Sequence, residues 1–247
     1  MIASLKSEAR KLLSIRSTYV ILIICLALEF IFAFFVVGWH TQPAELANPH
    51  YLTSQMLSAV NALSLLFAVI SVLAVTHEYR YNTILYTLTN TKSRSRALLA
   101  KFVVVSIFIL IASLLFGLLS LILSEAAIHL RHLSLAHQDV QVWSTLWRSM
   151  FAGWGFAALA FVMAVIIRVQ VGALVVLFII PSTVEGLIGV LLKNNRVYLP
   201  FNALNILLDG GENTVHIPYV RAAFVAGVYI IVGWLVGWYL FLKRDVG

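Results

Sequence analysis

The sequence predicts an all-α integral membrane protein with six spanning helices, and three observations lead there. Hydrophobic residues make up 62% of the 247 and charged residues only 11%, with a mean hydropathy of +0.97. A soluble domain carries about a quarter charged residues and under half apolar ones, so this chain has too little polar surface to cover a water-soluble globule. Six apolar runs, at 19–39, 57–75, 102–123, 150–167, 171–192 and 222–242, reach the length of about twenty residues that crosses a bilayer core roughly 30 Å thick. These runs are continuous rather than alternating in polarity, which excludes a β-barrel. Low net polarity excludes disorder, and the single cysteine, Cys25, excludes a disulfide scaffold.

The elements follow in order. Ile2, Leu5, Ala9, Leu12 and Leu13 recur at steps of three and four residues, while Lys6, Ser7, Glu8, Arg10, Lys11 and Ser14 take the other face. That pattern predicts an amphipathic helix over 1–17 lying in the membrane interface, either as an anchor on anionic lipid or as a docking helix for a partner. The first span resembles a signal peptide because Lys6, Arg10, Lys11 and Arg16 precede it. It exceeds a signal core in length, and Pro43-Ala44-Glu45-Leu46-Ala47 makes a poor small-x-small cleavage site, so retention is expected. Spans two and three are joined by a long segment, 76–101, whereas spans four and five are joined by little more than Arg168-Val169-Gln170, which forces a tight antiparallel hairpin. No repeat or low-complexity linker divides the chain, so a single transmembrane domain over 1–247 is expected.

Orientation comes from the basic residues, which concentrate in cytoplasmic connections. With the amino terminus inside, Lys6, Arg10, Lys11, Arg16, Arg80, Lys92, Arg94, Arg96, Lys101, Arg168, Lys243 and Arg244 are cytoplasmic, twelve of the 17. Both termini then lie in the cytoplasm. The net charge of +7 reads as topology rather than as a nucleic-acid surface, because the basic residues sit between apolar stretches.

The inner segment carries Glu78-Tyr79-Arg80-Tyr81-Asn82-Thr83, continues through Leu88 to Thr91, and ends in a basic loop with Ser93 and Arg94 before Lys101 opens the next span. The Glu-x-Arg-x-x-Thr core, the Thr-containing turn, the Ser-Arg pair and the following lysine resemble the cytoplasmic signature of type 2 permeases of ATP-binding cassette (ABC) transporters. Asn82 and Lys92 stand where that family usually has glycine and proline. The amphipathic amino-terminal helix, the six spans, the tight fourth link and the Lys243-Arg244-Asp245 ending extend the resemblance to nearly the whole chain. It implies a dimer of permeases, expected to be a homodimer, in a bacterial plasma membrane, driven by two cytoplasmic ATPase subunits and working as an exporter. It implies that Glu78, Tyr79, Arg80, Thr83 and Leu88 couple to the ATPase through a cytoplasmic coupling helix, and that Leu5, Lys6, Ala9 and Leu12 form the docking face of the first helix.

The chain holds no Gly-x-x-x-x-Gly-Lys-Ser/Thr, so ATP and magnesium are expected on a partner, with no cofactor or metal bound directly. Hydrolase elbow, His-Glu-x-x-His and cysteine-pair motifs are also lacking, so no enzyme activity is expected. His129, His132, His137 and Asp139 share an outer loop and read as a wet, pH-sensitive surface rather than a metal site. Two carboxylates fall within spans, Glu29 in the first and Glu185 after Pro181 in the fifth. An ionised side chain in hydrocarbon costs at least about 2.5 kcal/mol, so each is a candidate for the translocation pathway. Glu29 could instead bond Asn61 or Ser64, and Pro181 invites a reentrant break that would bring Glu185 near outer water. An ion- or proton-coupled secondary transporter using the two carboxylates is the alternative function. Gly233 and Gly237 form a small-xxx-small pattern that permits close helix packing.

Overall fold

A computed structural model describes residues 2–44, 49–81, 83, 93–133, 142–208 and 218–243. Every element among them is helical: α1 (Ile2–Ser14), α2 (Arg16–Glu29) continuing as a π-helix (Phe30–Trp39), α3 (Pro49–Arg80), α4 (Arg94–Leu130), α5 (Val142–Ile167) and α6 (Gln170–Ile179). A π-helical stretch (Ile180–Val184) leads into α7 (Glu185–Leu192), and a 3-10 turn (Lys193–Tyr198) precedes α8 (Pro200–Leu208) and α9 (Tyr219–Lys243). Six of these segments are long and apolar enough to cross a membrane. We call the end of the bundle that carries α1 proximal and the other distal.

The centre is made by α3 and α5, whose spanning stretches are each 67% buried, while α2, the α6–α7 segment and α9 lie outside them. The outer faces of the bundle are as apolar as its core. Along α4 the exposed stripe is Ile107, Ile111, Leu115 and Ile122, whereas Ser113, Gly117, Ser120, Ser124 and Ala127 face inward. In lipid, apolar burial gives helices no reason to associate, so small residues that allow close approach and hydroxyls that bond across the interface take that role. Ser71 Oγ on α3 donates to the Ala157 carbonyl on α5 at 2.7 Å. Gly233 on α9 faces Val162 of α5, where an added Cβ would lie 2.9 Å from Val162 Cγ1. The small-xxx-small pair therefore packs α9 against α5 within the chain.

Both π-helical stretches have identifiable partners. Widening the first helix frees backbone carbonyls, and α4 supplies donors: Ser124 Oγ to Ala33 O at 3.1 Å, and Arg131 Nη1 to Gly38 O at 3.1 Å and to Thr41 O at 2.7 Å. Phe30, Phe34 and Trp39 stack along the same stretch with ring centroids 5.3 and 6.4 Å apart, a ladder of four- and five-residue steps that suits the wider helix. The second stretch absorbs Pro181, which lacks an N–H, and Ser182 Oγ donates back to the Phe178 carbonyl at 2.5 Å. The fifth span thus passes Pro181 without reversing direction. The chain turns only after Leu192, at Lys193 with φ of 49°, and α8 then runs back against α5 with Phe201, Leu204 and Leu207 buried. The expected break lies later than the sequence suggested, because the π turn rather than a chain reversal accommodates the proline.

Replacing Gly233 with Leu is expected to lower the thermal stability of the detergent-solubilised protein by about 1–3 kcal/mol through overpacking against Val162. The same change at Gly227 on the same helix, where nothing lies within 4 Å, is expected to leave it nearly unchanged.

Candidate coupling site

At the proximal end, four charged side chains from three helices close into a ring. Glu8 and Lys11 stand three residues apart on α1 and so share one face. Glu78 sits in the last turn of α3, and Lys101 lies on α4, whose start is fixed by Ser93 accepting from the Arg96 N–H at 3.3 Å. Lys11 Nζ lies 2.7 Å from Glu8 and 2.8 Å from Glu78, and Lys101 Nζ lies 2.6 Å from Glu8 and 3.0 Å from Glu78. Each ammonium bridges the same two carboxylates, so the charges balance within the ring. Glu8 and Glu78 are buried, at 5% and 7% exposure, which makes both partners necessary. Removing the nearly buried Lys101, 11% exposed, strands buried carboxylate charge at a cost of about 3–5 kcal/mol, whereas Lys11, 38% exposed, is partly screened by water and contributes less. Burial on its own would lower the pKa of Lys11, but its hydrogen bonds to Glu78 and Glu8 and their negative charges outweigh that and raise it. The stabilisation from Lys11 is therefore fully present at neutral pH and is lost only as pH climbs past 10.5 through the raised value.

The ring settles how α1 is oriented. Leu12 is buried against the bundle beside Glu8, Leu5 and Ala9 are half-buried, and Lys6 and Arg10 point outward. Its apolar stripe is thus partly occupied by its own chain, with Leu13 left exposed beside the polar residues of the open face. A cavity of about 690 Å3 opens between α1, the end of α3 and the start of α4, lined by Ser7, Arg16, His77, Thr83 and Val104 along with the ring.

The other residues singled out by sequence are spread around this ring. Tyr79 faces the Arg168 guanidinium, 5.5 Å from the ring centroid. Arg80 is exposed and its Nη1 donates to Gln170 Oε1 at 3.2 Å. Thr83 is exposed, and its N–H donates to the Glu78 carbonyl at 3.0 Å. Leu88 and the expected coupling helix that contains it lie outside the described residues. Sequence reasoning missed Glu8 and Lys11 as site residues and read Lys101 only as part of a motif. The available signal was an acidic residue within a basic helix and a lysine a full turn inside an apolar one.

The two membrane carboxylates have different surroundings. Glu185, 2% exposed, accepts from the backbone N–H groups of Phe201 and Asn202, each at 2.8 Å, and from Asn202 Nδ2 at 2.7 Å. The first N–H groups of α8 have no partner within that helix, and this carboxylate supplies one. Glu29 is the last α-helical residue before the π-helix and is fully buried. Neither of its oxygens makes a hydrogen bond of good geometry, although Ser120 on α4 is close enough to weigh on its charge. Ser64, expected beside it, bonds its own helix at Val60 O, and the Asn61 side chain lies outside the described residues. His129, expected in an outer loop, is instead in the last turn of α4, its Nε2 3.9 Å from Glu125 one turn earlier, and among the described residues no three metal-ligating side chains converge. His137 and Asp139 lie outside them.

Six apolar spans, with the amino-terminal helix tied by ion pairs to the end of the second and the start of the third, define a multi-pass membrane protein. The family model described as ABC-2 family transporter protein matches residues 4–190, from α1 through most of α7. The chain belongs to that family and is an ABC transporter permease, of a kind that works with ATPase subunits. No curated protein matches it.

Replacing Glu185 with Ala strands the Phe201 and Asn202 N–H groups and is expected to destabilise the distal end by about 1–3 kcal/mol, read as faster hydrogen exchange over Pro200–Leu208. Glu185→Gln, which keeps an acceptor, is expected to give a smaller increase.

Proposed function

We propose that this chain is the permease of an ABC exporter in a bacterial plasma membrane, paired with a second copy of itself and driven by two cytoplasmic ATPase subunits. The proximal end is then the cytoplasmic one, with both termini inside. The observation that carries this reading is the ring of Glu8, Lys11, Glu78 and Lys101, which makes α1 and the adjoining ends of α3 and α4 one mechanical unit. The concentration of basic residues in the proximal connections supports the orientation.

In this mechanism the permease does no covalent chemistry. Closure of the ATPase dimer on ATP presses on the exposed face of α1 and on the segment following Arg80. Because α1 cannot move without drawing Glu78 and Lys101 with it, the push becomes a displacement of α3 and α4, and the spans change between inward- and outward-open arrangements. Glu78 works from inside the lock, while Lys6, Arg10, Arg80 and Thr83 occupy the solvent side that an ATPase can touch. The ion-coupled alternative is not favoured, since Glu185 is committed to capping α8. Glu29 is the carboxylate left for a pathway role, and its full burial within the first span supports that assignment.

Affinity purification of the tagged chain from its native membrane is expected to recover an ATPase bearing a Walker A motif, and recovery without one contradicts the proposal. In the recovered complex Glu78→Ala is expected to lower permease-dependent ATP hydrolysis several-fold while the chain still inserts in the membrane. Unchanged hydrolysis in a fully assembled complex would remove Glu78 from the coupling route.

A further inference from the structure

We propose that Arg168, in the link between α5 and α6, is a positioning residue that carries movement of the end of α3 to the α5–α6 hairpin and to α9. This rests on the permease reading above and assigns a second transmission point beside the four-charge ring.

The backbone supplies the first argument. Arg168 has φ of 63°, and its N–H donates to the Ala164 carbonyl at 2.9 Å. This is the left-handed residue that closes a helix, a position at which glycine is the favoured residue because it has no Cβ to strain. An arginine in that conformation points to a use for its side chain.

The side chain supplies the second. The guanidinium lies 5.5 Å from the ring centroid of Tyr79, the residue next to Glu78. Its Nη2 reaches the carbonyl of Leu240 at 3.5 Å, in the last turn of α9 where backbone carbonyls lack helical partners and the helix dipole is negative. Two residues on, Gln170 accepts from Arg80 at 3.2 Å. The short link is therefore stitched to α3 at the adjacent residues Tyr79 and Arg80, and to α9 through Arg168. A displacement of Glu78 moves Tyr79 and Arg80 and draws on the hairpin.

The contacts also leave room for a second arrangement. Arg168 Nε and the Tyr79 hydroxyl are buried without hydrogen-bond partners, so polar capacity is unused in this state. A shift of α3 that brought the two together would satisfy both, which is what a two-position contact requires.

The test uses the complete complex with its ATPase subunits in lipid nanodiscs, in a Cys25→Ala background. One environment-sensitive fluorophore is placed at Leu13→Cys on α1 and, in a separate sample, at Val171→Cys on α6, both sites being exposed, at 50% and 70%. With the native arginine, trapping with ATP and vanadate is expected to shift the emission of both reporters. In Arg168→Gly, which relieves the left-handed strain, the α1 response is expected to persist while the α6 response falls at least threefold. Arg168→Lys, which keeps the charge and loses the planar fork, should recover part of it. Tyr79→Leu, which cuts the link from the α3 side, should reproduce the selective loss if Arg168→Gly fails to assemble. An undiminished α6 response in Arg168→Gly, or in Tyr79→Leu where that variant stands in, overturns the inference and leaves the permease reading intact. If neither reporter responds to nucleotide with the native arginine present, the permease reading falls and the inference falls with it.

Discussion

Two buried carboxylates, a nearly buried lysine and a second lysine at the water's edge tie α1, α3 and α4 together at one end of an apolar bundle. The arrangement is stable only as a set. Each charge is compensated by two neighbours, and losing any one leaves the others facing a low-dielectric surrounding without balance. The same property that makes the ring costly to break makes it suited to transmit force, since three helices held this way move together. The positions of the amphipathic helix, the exposed face beside it and the adjoining cavity all follow from this lock.

The remainder of the bundle is held by weaker and more distributed means. Hydroxyls bond backbone carbonyls between helices, glycines let α9 approach α5, and π-helical carbonyls find donors on α4. Each of these contacts is individually worth only about 1 kcal/mol and can be exchanged for an equivalent one, and a transporter needs at least two states of nearly equal packing. Rigid fastening is concentrated at the ends: the charge ring and Arg168 at the proximal end, and the Glu185 cap of α8 at the distal end. A bundle whose ionic fastenings lie at its ends can slide and repack in the middle without coming apart.

The spans were legible because hydropathy over twenty residues is a strong signal, and the short link at Arg168 was legible because three residues can make only a tight turn. The helix ends were read short: α4 runs from Arg94 to Leu130, well beyond its apolar stretch, because charged residues such as Lys101 remain helical once paired. Periodicity revealed two faces of α1 but not which would be buried, so Glu8 and Lys11 looked like ordinary members of a solvated face. Their partners lie far along the chain, and a single sequence carries no sign of that pairing. The widened first helix left no trace either, since it arises from donors on α4 rather than from any helix breaker of its own. For Glu185 the carboxylate was visible, while the helix it caps became visible only in three dimensions.

A double-mutant cycle between α1 and α4 bears most directly on the lock. Glu8→Gln, Lys101→Met and the pair together would be compared by thermal unfolding in detergent. The account predicts that the double variant is less destabilised than the two single variants added together, by about 1–3 kcal/mol, since each single change strands the other charge. Additivity within about 0.5 kcal/mol would mean that the two side chains do not hold α1 to α4, and the central claim would fail.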